Sequence, residues 1–473
     1  MKKHSLANNP ELFINRELSW LEFNERVLQE GLSDSVPLLD RLKFLAIVGT
    51  NLDEFFMIRV ASLKQLKKAG KTRRDIAGLT PEEQLSAISA RVHKMIADHT
   101  RGIHEVFAQL AEHGVRILTV NEWSEKDRRQ LRAYFDRELA PVVTPLAISD
   151  LTPVPALAGL QIHLGIVLLP AQQKKQDSKI AVVPVPQKTR RFVALSAEKE
   201  QRFALVEDVI TAFIDELFRG YHVKQISPFR ITRDADVSIQ DDDASDLLST
   251  VEEAVLARRR RAAVRLEIRP PVEQQLYDYL VNSLQVEQDD IYLVDGFMGT
   301  NSLYEITNLP GCDRLREPDW PPQPPRDLLG WDDLWAAVTD HDIMLFHPYE
   351  TFSPVIDFLK QAAVDPNVLA IKQTLYRTSG DSPIVEALEH AGRNGKEVTV
   401  LVEVKARFDE ERNVQWARRL EDAGCHVIYG IAGLKTHAKA SLVVRKEQGR
   451  IRRYVHLSTG NYNDKTSRIY SDI

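Results

Sequence analysis

Apolar residues recur at helical spacing through roughly the first 110 residues. In NRELSWLEFNERVLQE, the side chains of Trp20, Phe23 and Val27 would share one face of a helix with 3.6 residues per turn. Ser19 followed by Glu22 matches a capping box and predicts a helix start there. LLDRLKFLAIVGTNLDEFF and EEQLSAISARVHKMIADH continue the same period. The pattern predicts a helical N-terminal domain over residues 1–110.

Strand-like runs and helical segments mix between residues 111 and 325. LQIHLGIVLL and KIAVVPVP predict strands, and residues 204–218 predict an amphipathic helix. The arginine run 258–261 suits the end of a further helix as a solvated face, with ligand binding as the alternative. Five prolines in PDWPPQPP exclude a helix or a central strand and predict a domain boundary. We therefore expect a mixed α/β domain over residues 111–325.

Strand and helix patterns alternate from residue 326 to residue 473. The apolar runs DIMLF, VLAIKQTLY, EVTVLVEV and CHVIYG predict strands, and helical segments between them end at Gly395 and Gly424. Two further strands, AKASLVV and IRRYVHL, flank the polar turn RKEQG. This order predicts a largely parallel sheet with helices on both faces, so that a ligand would bind at the carboxyl ends of the strands. The expected fold class is multidomain α+β.

The composition is that of an ordinary globular protein, with 43% hydrophobic and 27% charged residues in a chain of 473. The N-terminus has no apolar segment typical of a secretory signal, and no apolar run is long enough to span a membrane. Two distant cysteines exclude a disulfide framework. These features predict a cytoplasmic protein without a transmembrane segment, with membrane association as an alternative.

Charge is distributed unevenly along the chain. The net formal charge is −6, yet the residues from Ile371 onward carry 7 Lys and 11 Arg against 13 acidic residues. This part therefore has a net charge of +5 on a chain whose remainder carries −11. The asymmetry favours a local anion site over a uniformly basic surface.

Polar and basic residues follow or precede several predicted strands of the last domain, and we expect them to converge on one edge of the sheet. They are Arg377, Lys405, Arg407, Lys435, His437, Lys439, Gly460, Asn461, Asn463 and Lys465. Arginine and lysine stabilise phosphoryl oxygens by charge-assisted hydrogen bonds. A neutral imidazole is a nucleophile near pH 7 that can carry a phosphoryl group. The set therefore indicates a phosphoryl-transfer site.

Each of these residues also has an ordinary structural interpretation. A single loop histidine is usually solvated or hydrogen-bonded, and Arg407 has the acidic residues 409–411 beside it as partners. The common nucleotide motifs are absent, because GLKT at 433–436 lacks the first glycine of a P-loop and no G-x-G-x-x-G follows a strand. Zinc-ligand spacing is absent as well. A metal, if used, would be Mg²⁺ held by phosphate oxygens and water with carboxylates assisting.

Several long motifs strongly resemble polyphosphate kinase of the first type, from about residue 11 to the last residue. They are INRELSWLEFNERVLQE, FLAIVGTNLDEFFMIRV, LFHPYETFSPVIDFLKQAAVDPNVLAIKQTLYRTS, VTVLVEVKARFDEERNVQWARRLEDAG and GLKTHAKASLVV with RRYVHLSTGNYNDKTSRIYSDI. The resemblance implies reversible transfer of the terminal phosphate of ATP to inorganic polyphosphate through a phosphohistidine. It also implies a helical N-terminal domain, a head domain with dimer contacts, and phospholipase-D-like catalytic domains.

The resemblance assigns roles to particular residues. His437 matches the phosphorylated histidine, with Lys435 and Lys439 as supporting phosphate contacts, and Asn51 and Tyr470 match ATP-binding positions. Arg377 and Arg407 match a magnesium and phosphate site, where a guanidinium can contact only the phosphate. Taken alone, the residues around Asn51 in GTNLDEF predict a helix-capping role instead. The partners implied are ATP or ADP, polyphosphate, Mg²⁺ and further copies of the chain in a dimer or tetramer, without nucleic acid.

Two departures from related patterns bear on function. A phospholipase-D signature would place Asp where this chain has Val444, which disfavours a phosphodiesterase or nuclease, the second hypothesis. The chain also stops at Ile473, inside the first catalytic domain as the family draws it, so we expect the second to be missing and the chain alone to turn over little. A third hypothesis is an inactive polyphosphate-binding or dimerisation module.

Overall fold

The structure is a computed structural model that describes residues 9–148, 156–171, 178–197, 200–235, 261–403, 410–431 and 434–473. The chain divides into two compact units, the first up to Pro318 and the second from Asp319 to Ile473. The predicted helix before the arginine run lies in the segment 236–260, outside the described residues. Within the described part, none of the helices combines the length and apolar character needed to cross a bilayer.

Among the described residues, four helices within the first 112 positions form a helical layer, and three more follow in the same unit. The seven are α1 (Arg16–Leu32), α2 (Leu38–Phe55), α3 (Ala61–Lys68), α4 (Pro81–Glu112), α5 (Glu125–Tyr134), α6 (Val206–Ala212) and α7 (Gln274–Leu284). Single π-helical turns, Phe56–Val60 and Phe135–Leu139, follow α2 and α5. The longest helix, α4, begins at a capping box in which Thr80 and Glu83 bond each other's backbone N–H groups.

The predicted start and inner face of α1 were wrong. Asn15 caps the helix, because its side-chain oxygen accepts the N–H groups of Glu17 and Leu18 at 3.0 and 2.9 Å. Ser19 already lies inside the first turn. The buried face is formed by Leu21, Asn24 and Leu28 with their helical neighbours, and Phe23 is 48% exposed. The spacing of the apolar residues predicted the helix correctly but not which of its faces is buried.

Two sheets complete the first unit. One has the order β1–β5–β4 and the other the order β3–β2–β6–β7–β8. The strands are β1 (Val115–Leu118), β2 (Ile162–Pro170), β3 (Lys179–Pro184), β4 (Phe192–Leu195), β5 (Gln201–Leu205), β6 (Tyr221–Arg233), β7 (Ala263–Ile268) and β8 (Ile291–Leu293). The helix predicted over 204–218 is shorter than expected, since β5 runs to Leu205 and α6 ends at Ala212.

A buried ion network joins α2 to the larger of these sheets. Asp53 on α2 accepts hydrogen bonds from Arg230 on β6 and from Arg265 on β7, with one Arg230 bond at 2.8 Å. Glu267 accepts a further bond from Arg230 at 2.8 Å. Burial alone would raise the pKa of the Asp53 carboxyl, but the two guanidiniums outweigh it and hold the pKa below its usual value.

The described part of the second unit contains one five-stranded sheet of order β11–β10–β9–β12–β13. Its strands are β9 (Val368–Leu375), β10 (Glu397–Val402), β11 (His426–Tyr429), β12 (Lys439–Glu447) and β13 (Arg450–Ser458). Its helices are α8 (Leu334–Asp340), α9 (Ser353–Val364), α10 (Pro383–Arg393) and α11 (Glu410–Asp422). Strands β9, β10 and β11 are parallel, whereas β12 pairs antiparallel with both β9 and β13.

The expectation of a largely parallel sheet with helices on both faces was therefore wrong in part. Helices α9, α10 and α11 share one core with the inward side chains of the strands, such as Ile371, Val400 and Val443. Side chains on the opposite face are partly or largely exposed, and Val455 and Leu457 of β13 are 55% and 70% accessible. DIMLF is not a strand, because the only bridges described near it are two isolated ones beyond its end, at residues 347 and 350.

We predict that Asp53→Asn lowers the free energy of unfolding by about 3–5 kcal/mol, because it removes the shared counter-charge of two buried guanidiniums. Since the pKa of Asp53 is lowered, its contribution is present above the unfolded-state pKa of about 3.9 and is lost as the pH falls through the folded-state value. Urea denaturation at pH 7 measures the effect. Asp136→Asn, which removes an exposed partner of Arg132, is the control and should change stability by less than about 1 kcal/mol.

Candidate active site

Four chain segments meet at one edge of the sheet in the second unit. Parallel pairing brings the ends of β9 and β10 to this edge. Because β12 runs antiparallel to β9, its first residue lies there as well, and Lys439 pairs with Ser458 at the end of β13. The loops after β9 and β13 touch through a hydrogen bond of 2.5 Å from Ser379 to Asp464. The predicted convergence on one edge is confirmed for the described segments.

His437 lies in the loop just before β12 and is exposed. The ammonium of Lys439 is 3.1 Å from both ring nitrogens, so it donates to whichever nitrogen lacks a proton. Partial desolvation of the exposed ring, followed by the positive charges of Lys439 and Lys435, lowers the pKa of the imidazole. His437 is therefore the neutral imidazole near pH 7, and its unprotonated nitrogen accepts the hydrogen bond from Lys439.

Lys439, the first residue of β12, is a buried cation with only 6% of its surface exposed. Burial lowers the pKa of its ammonium, and the Asp472 carboxylate partly offsets that effect. Asp472 is fixed by backbone hydrogen bonds in both directions with His347 and accepts a bond from the Thr459 hydroxyl at 3.2 Å. A buried ammonium next to a neutral imidazole gives the edge a localised positive potential.

Tyr376, directly after β9, lies at the centre of the site and was missed by the sequence interpretation. Its ring meets the His437 ring edge to face, with centroids 5.1 Å apart. The ammoniums of Lys435 and Lys439 lie 5.4 and 5.5 Å from the same ring centroid, and the Arg377 guanidinium lies 5.9 Å from it. The π face of the ring attracts each cation. Tyr376 therefore holds three positive groups and the imidazole around one aromatic surface.

Two further residues hold the histidine loop in place. The Thr374 hydroxyl donates to the Ala438 carbonyl at 2.8 Å and accepts the Ala440 N–H at 3.0 Å. The buried Glu403 carboxylate accepts the Thr436 N–H at 2.7 Å. These bonds fix the backbone on both sides of His437. A Thr inside an apolar strand and a Glu at a strand end carry no motif that would have identified them.

One side chain of α11 ties together the ends of β9 and β10. The Asn413 amide donates to the carbonyls of Tyr376 and Glu403 at 2.8 and 2.9 Å. The half-buried Arg377 follows on this loop. Arg407 and Lys405, predicted to contribute from β10, lie outside the described residues.

The loop after β13 carries the remaining predicted residues. The Asn463 side chain accepts the N–H groups of Lys465 and Thr466 at 3.1 Å each, so it caps a short turn. Tyr470 follows this turn and is 60% exposed. Its ring is therefore accessible to a ligand.

Asn51 lies in the first unit, inside α2 and not at a helix end. The capping interpretation was therefore wrong. Its side-chain amide donates at 2.9 Å to the Asn24 carbonyl oxygen. Asn24 is fully buried on α1 and in turn bonds the Val48 carbonyl at 3.3 Å. Asn51 is thus held in a fixed orientation by a buried partner.

The side chains present do not fit a magnesium site built by the protein. Across the described residues, no three His, Cys, Asp or Glu side chains converge as ligands of a metal ion. Arg377 has no lone pair to offer a cation. The donor chemistry of this edge is that of an anion site.

Comparison with known proteins matches successive parts of the chain to the same family. Family models described as the polyphosphate kinase N-terminal domain, middle domain and C-terminal domain 1 match residues 13–118, 126–306 and 333–473. A polyphosphate kinase of Halalkalibacterium halodurans is 48% identical over 98% of this chain and 67% of its own length. This chain belongs to the polyphosphate kinase family.

Other members of the polyphosphate kinase family show the same correspondence. One from Bacillus cereus is 46% identical, over 98% of this chain and 67% of that protein. The crystal structure of polyphosphate kinase from Porphyromonas gingivalis matches with a TM-score of 0.79 and 28% identity, over 97% of this chain and 66% of that chain. The chain thus spans about two thirds of the length of these relatives. The multidomain α+β fold class is confirmed.

The expectation that a C-terminal catalytic domain is missing is not borne out. The model described as C-terminal domain 1 matches residues 333–473, which contain the whole sheet with His437 at its edge. The relatives align with 98% of the chain.

We predict that the His437 imidazole titrates below the ordinary histidine range, and that Lys439→Gln raises its pKa part of the way back. Removing the ammonium removes a like charge, while the partial desolvation that is the larger cause remains. NMR titration of the ring signals measures both values.

Lys446→Gln serves as the control for this titration, because that exposed residue sits at the far end of β12. It should leave the His437 titration unchanged. An identical midpoint in wild type and Lys439→Gln would contradict the electrostatic coupling.

Proposed function

We propose that this chain acts in reversible transfer of the terminal phosphoryl group of ATP to inorganic polyphosphate, with His437 as the phosphorylated nucleophile. The observation that carries the proposal is the neutral imidazole held between Lys435 and Lys439 on a cationic sheet edge. The names of the relatives support the substrate class.

The chemistry balances in two displacements. A ring nitrogen of His437 attacks the γ-phosphorus, the bond from that phosphorus to the bridging oxygen breaks, and ADP leaves with the electron pair. A terminal oxygen of polyphosphate then attacks the phosphohistidine phosphorus, and the N–P bond breaks to restore the imidazole. The polyphosphate has grown by one unit, and each displacement is reversible.

The basic groups have a defined task in each displacement. Negative charge lies on the nonbridging oxygens of the transferring group, and Lys435, Lys439 and Arg377 are the cations around it, with Arg407 assigned to the same role. Lys439 donates to the imidazole before substrate arrives. Phosphate oxygens are the stronger acceptors, so substrate draws the ammonium away and frees the nitrogen lone pair.

The remaining roles are assigned as proposals. Asn51 and Tyr470 contact ATP. Mg²⁺ enters with the nucleotide, held by phosphate oxygens and water. Residues 1–110 form the ATP-contacting domain, 111–325 the dimerisation domain and 326–473 a phospholipase-D-like catalytic domain. The assembly is a cytoplasmic homo-oligomer, a dimer or tetramer.

We predict that His437→Gln abolishes acid-labile labelling of the chain by γ-³²P-ATP, since glutamine has no nucleophilic nitrogen. Labelling of wild type in a single turnover should approach one phosphoryl group per chain. His341→Gln, which alters another histidine of the same unit, should label as wild type does.

Other results would favour the competing functions. Persistent labelling of His437→Gln would contradict the assignment of His437 as the nucleophile. Hydrolysis of a phosphodiester such as bis(p-nitrophenyl) phosphate, lost in His437→Gln, would favour the phosphodiesterase, although Val444 pairs inside β12 where that family needs Asp. Salt-sensitive retention of polyphosphate by a chain that never becomes labelled would favour the inactive binding module.

A further inference from the structure

The first unit contains a cavity of about 440 Å³ that plays no part in the chemistry proposed for His437. It lies among α5, strands β4 and β5, and the turn at residues 305–309. Its volume falls within the range typical of sites for small ligands, roughly 300–1,000 Å³.

Apolar and aromatic side chains form most of its wall. Phe192 and Phe203 meet edge to face, with ring centroids 6.2 Å apart and planes at 90°. Leu131, Val193 and Leu309 complete this surface. Phe192 also stacks on Phe297, with ring centroids 5.8 Å apart, so the orientation of its ring is fixed. The surface suits a flat ring system.

Two polar residues of the wall form hydrogen bonds with backbone groups of the protein. The Gln130 amide donates to the Ala194 carbonyl at 3.1 Å and accepts the Ser196 N–H at 3.0 Å. The Glu305 carboxylate accepts the N–H groups of Arg191 and Phe192 at 2.9–3.2 Å. These bonds make the wall rigid, and the Glu305 charge is already engaged.

Tyr134, Arg137 and Arg190 supply the remaining polar character of the cavity. Burial raises the pKa of the Tyr134 hydroxyl, which is therefore a neutral donor at pH 7. Arg137 lies on the π-helical turn Phe135–Leu139. Among the described residues, its only ion pair is with the exposed neighbour Glu138, at 3.0 Å. Turns of this type are rare and frequently occur at functional sites.

We propose that this cavity binds a purine nucleoside monophosphate. The aromatic wall takes the base, while the Arg137 and Arg190 guanidiniums take the doubly charged phosphate as fork-shaped donors. A preformed wall and an exchangeable surface ion pair at Arg137 keep the cost of binding low. The site is separate from the transfer reaction and does not depend on it.

Calorimetric titration of the full chain with adenosine 5′-monophosphate tests the proposal. Ala133 is exposed on α5 and lines the cavity, so Ala133→Trp fills the space without disturbing the core. We expect Ala133→Trp, and the double variant Arg137→Ala/Arg190→Ala, to weaken binding by roughly tenfold or more. Ala90→Trp on α4 and Arg26→Ala/Arg101→Ala change exposed residues elsewhere in the unit and should bind as wild type does.

His437→Gln separates this site from the transfer site and should bind the monophosphate as wild type does. The proposal is overturned if wild type shows no binding, or if Ala133→Trp and the double arginine variant bind as tightly as their controls. It is also overturned if His437→Gln alone removes binding, which would place the nucleotide at the transfer site. Loss of phosphohistidine labelling with the cavity binding intact would count against the proposed function only.

Discussion

The antiparallel pairing of β12 with β9 is the constraint on which the site depends. In a parallel arrangement, the start of β12 would lie at the opposite edge of the sheet, some 25 Å away for a strand of this length. Antiparallel pairing instead brings His437 beside Tyr376 and Arg377 at the end of β9. The two Thr374 hydrogen bonds fix the register at this point. Strand direction, more than any single side chain, creates the cationic edge.

Gathering these cations has an electrostatic cost that the fold offsets only in part. Lys439 is buried and lies against an imidazole that is itself uncharged because of partial desolvation and the nearby lysines. The π face of Tyr376 attracts both lysines and Arg377, and the ring keeps these three charges apart from one another. Repulsion among the cations would fall when an anion binds between them. The site is therefore preorganised for negative charge.

Apart from DIMLF, periodicity predicted the strands of the second unit and the helices between them, because β9 to β11 alternate with amphipathic helices of ordinary length. It could not predict the direction of β12, since one strand's pattern reads the same in either orientation. The residues were expected on one edge because the carboxyl ends of parallel strands meet there, a reason that holds for the ends of β9, β10, β11 and β13 but not for the start of β12. Tyr376 was missed because an aromatic residue at a strand end is usually part of a core. Its role depends on contacts with residues about 60 positions away.

The two domains expected before residue 325 share their interior. One core extends from Leu21 on α1 through Phe192 and Tyr292 to Cys312. The apolar face of α1 to α4 is therefore buried against residues of the following domain and not exposed to water. Asp53 on α2 is fixed by β6 and β7, and Asn51, two residues earlier, is fixed by Asn24 on α1. The Asn51 side chain is thus oriented by α1, and the end of α2 that carries it is anchored to the sheet through Asp53. A proposed nucleotide contact on α2 is therefore positioned by residues that the sequence assigns to the neighbouring domain.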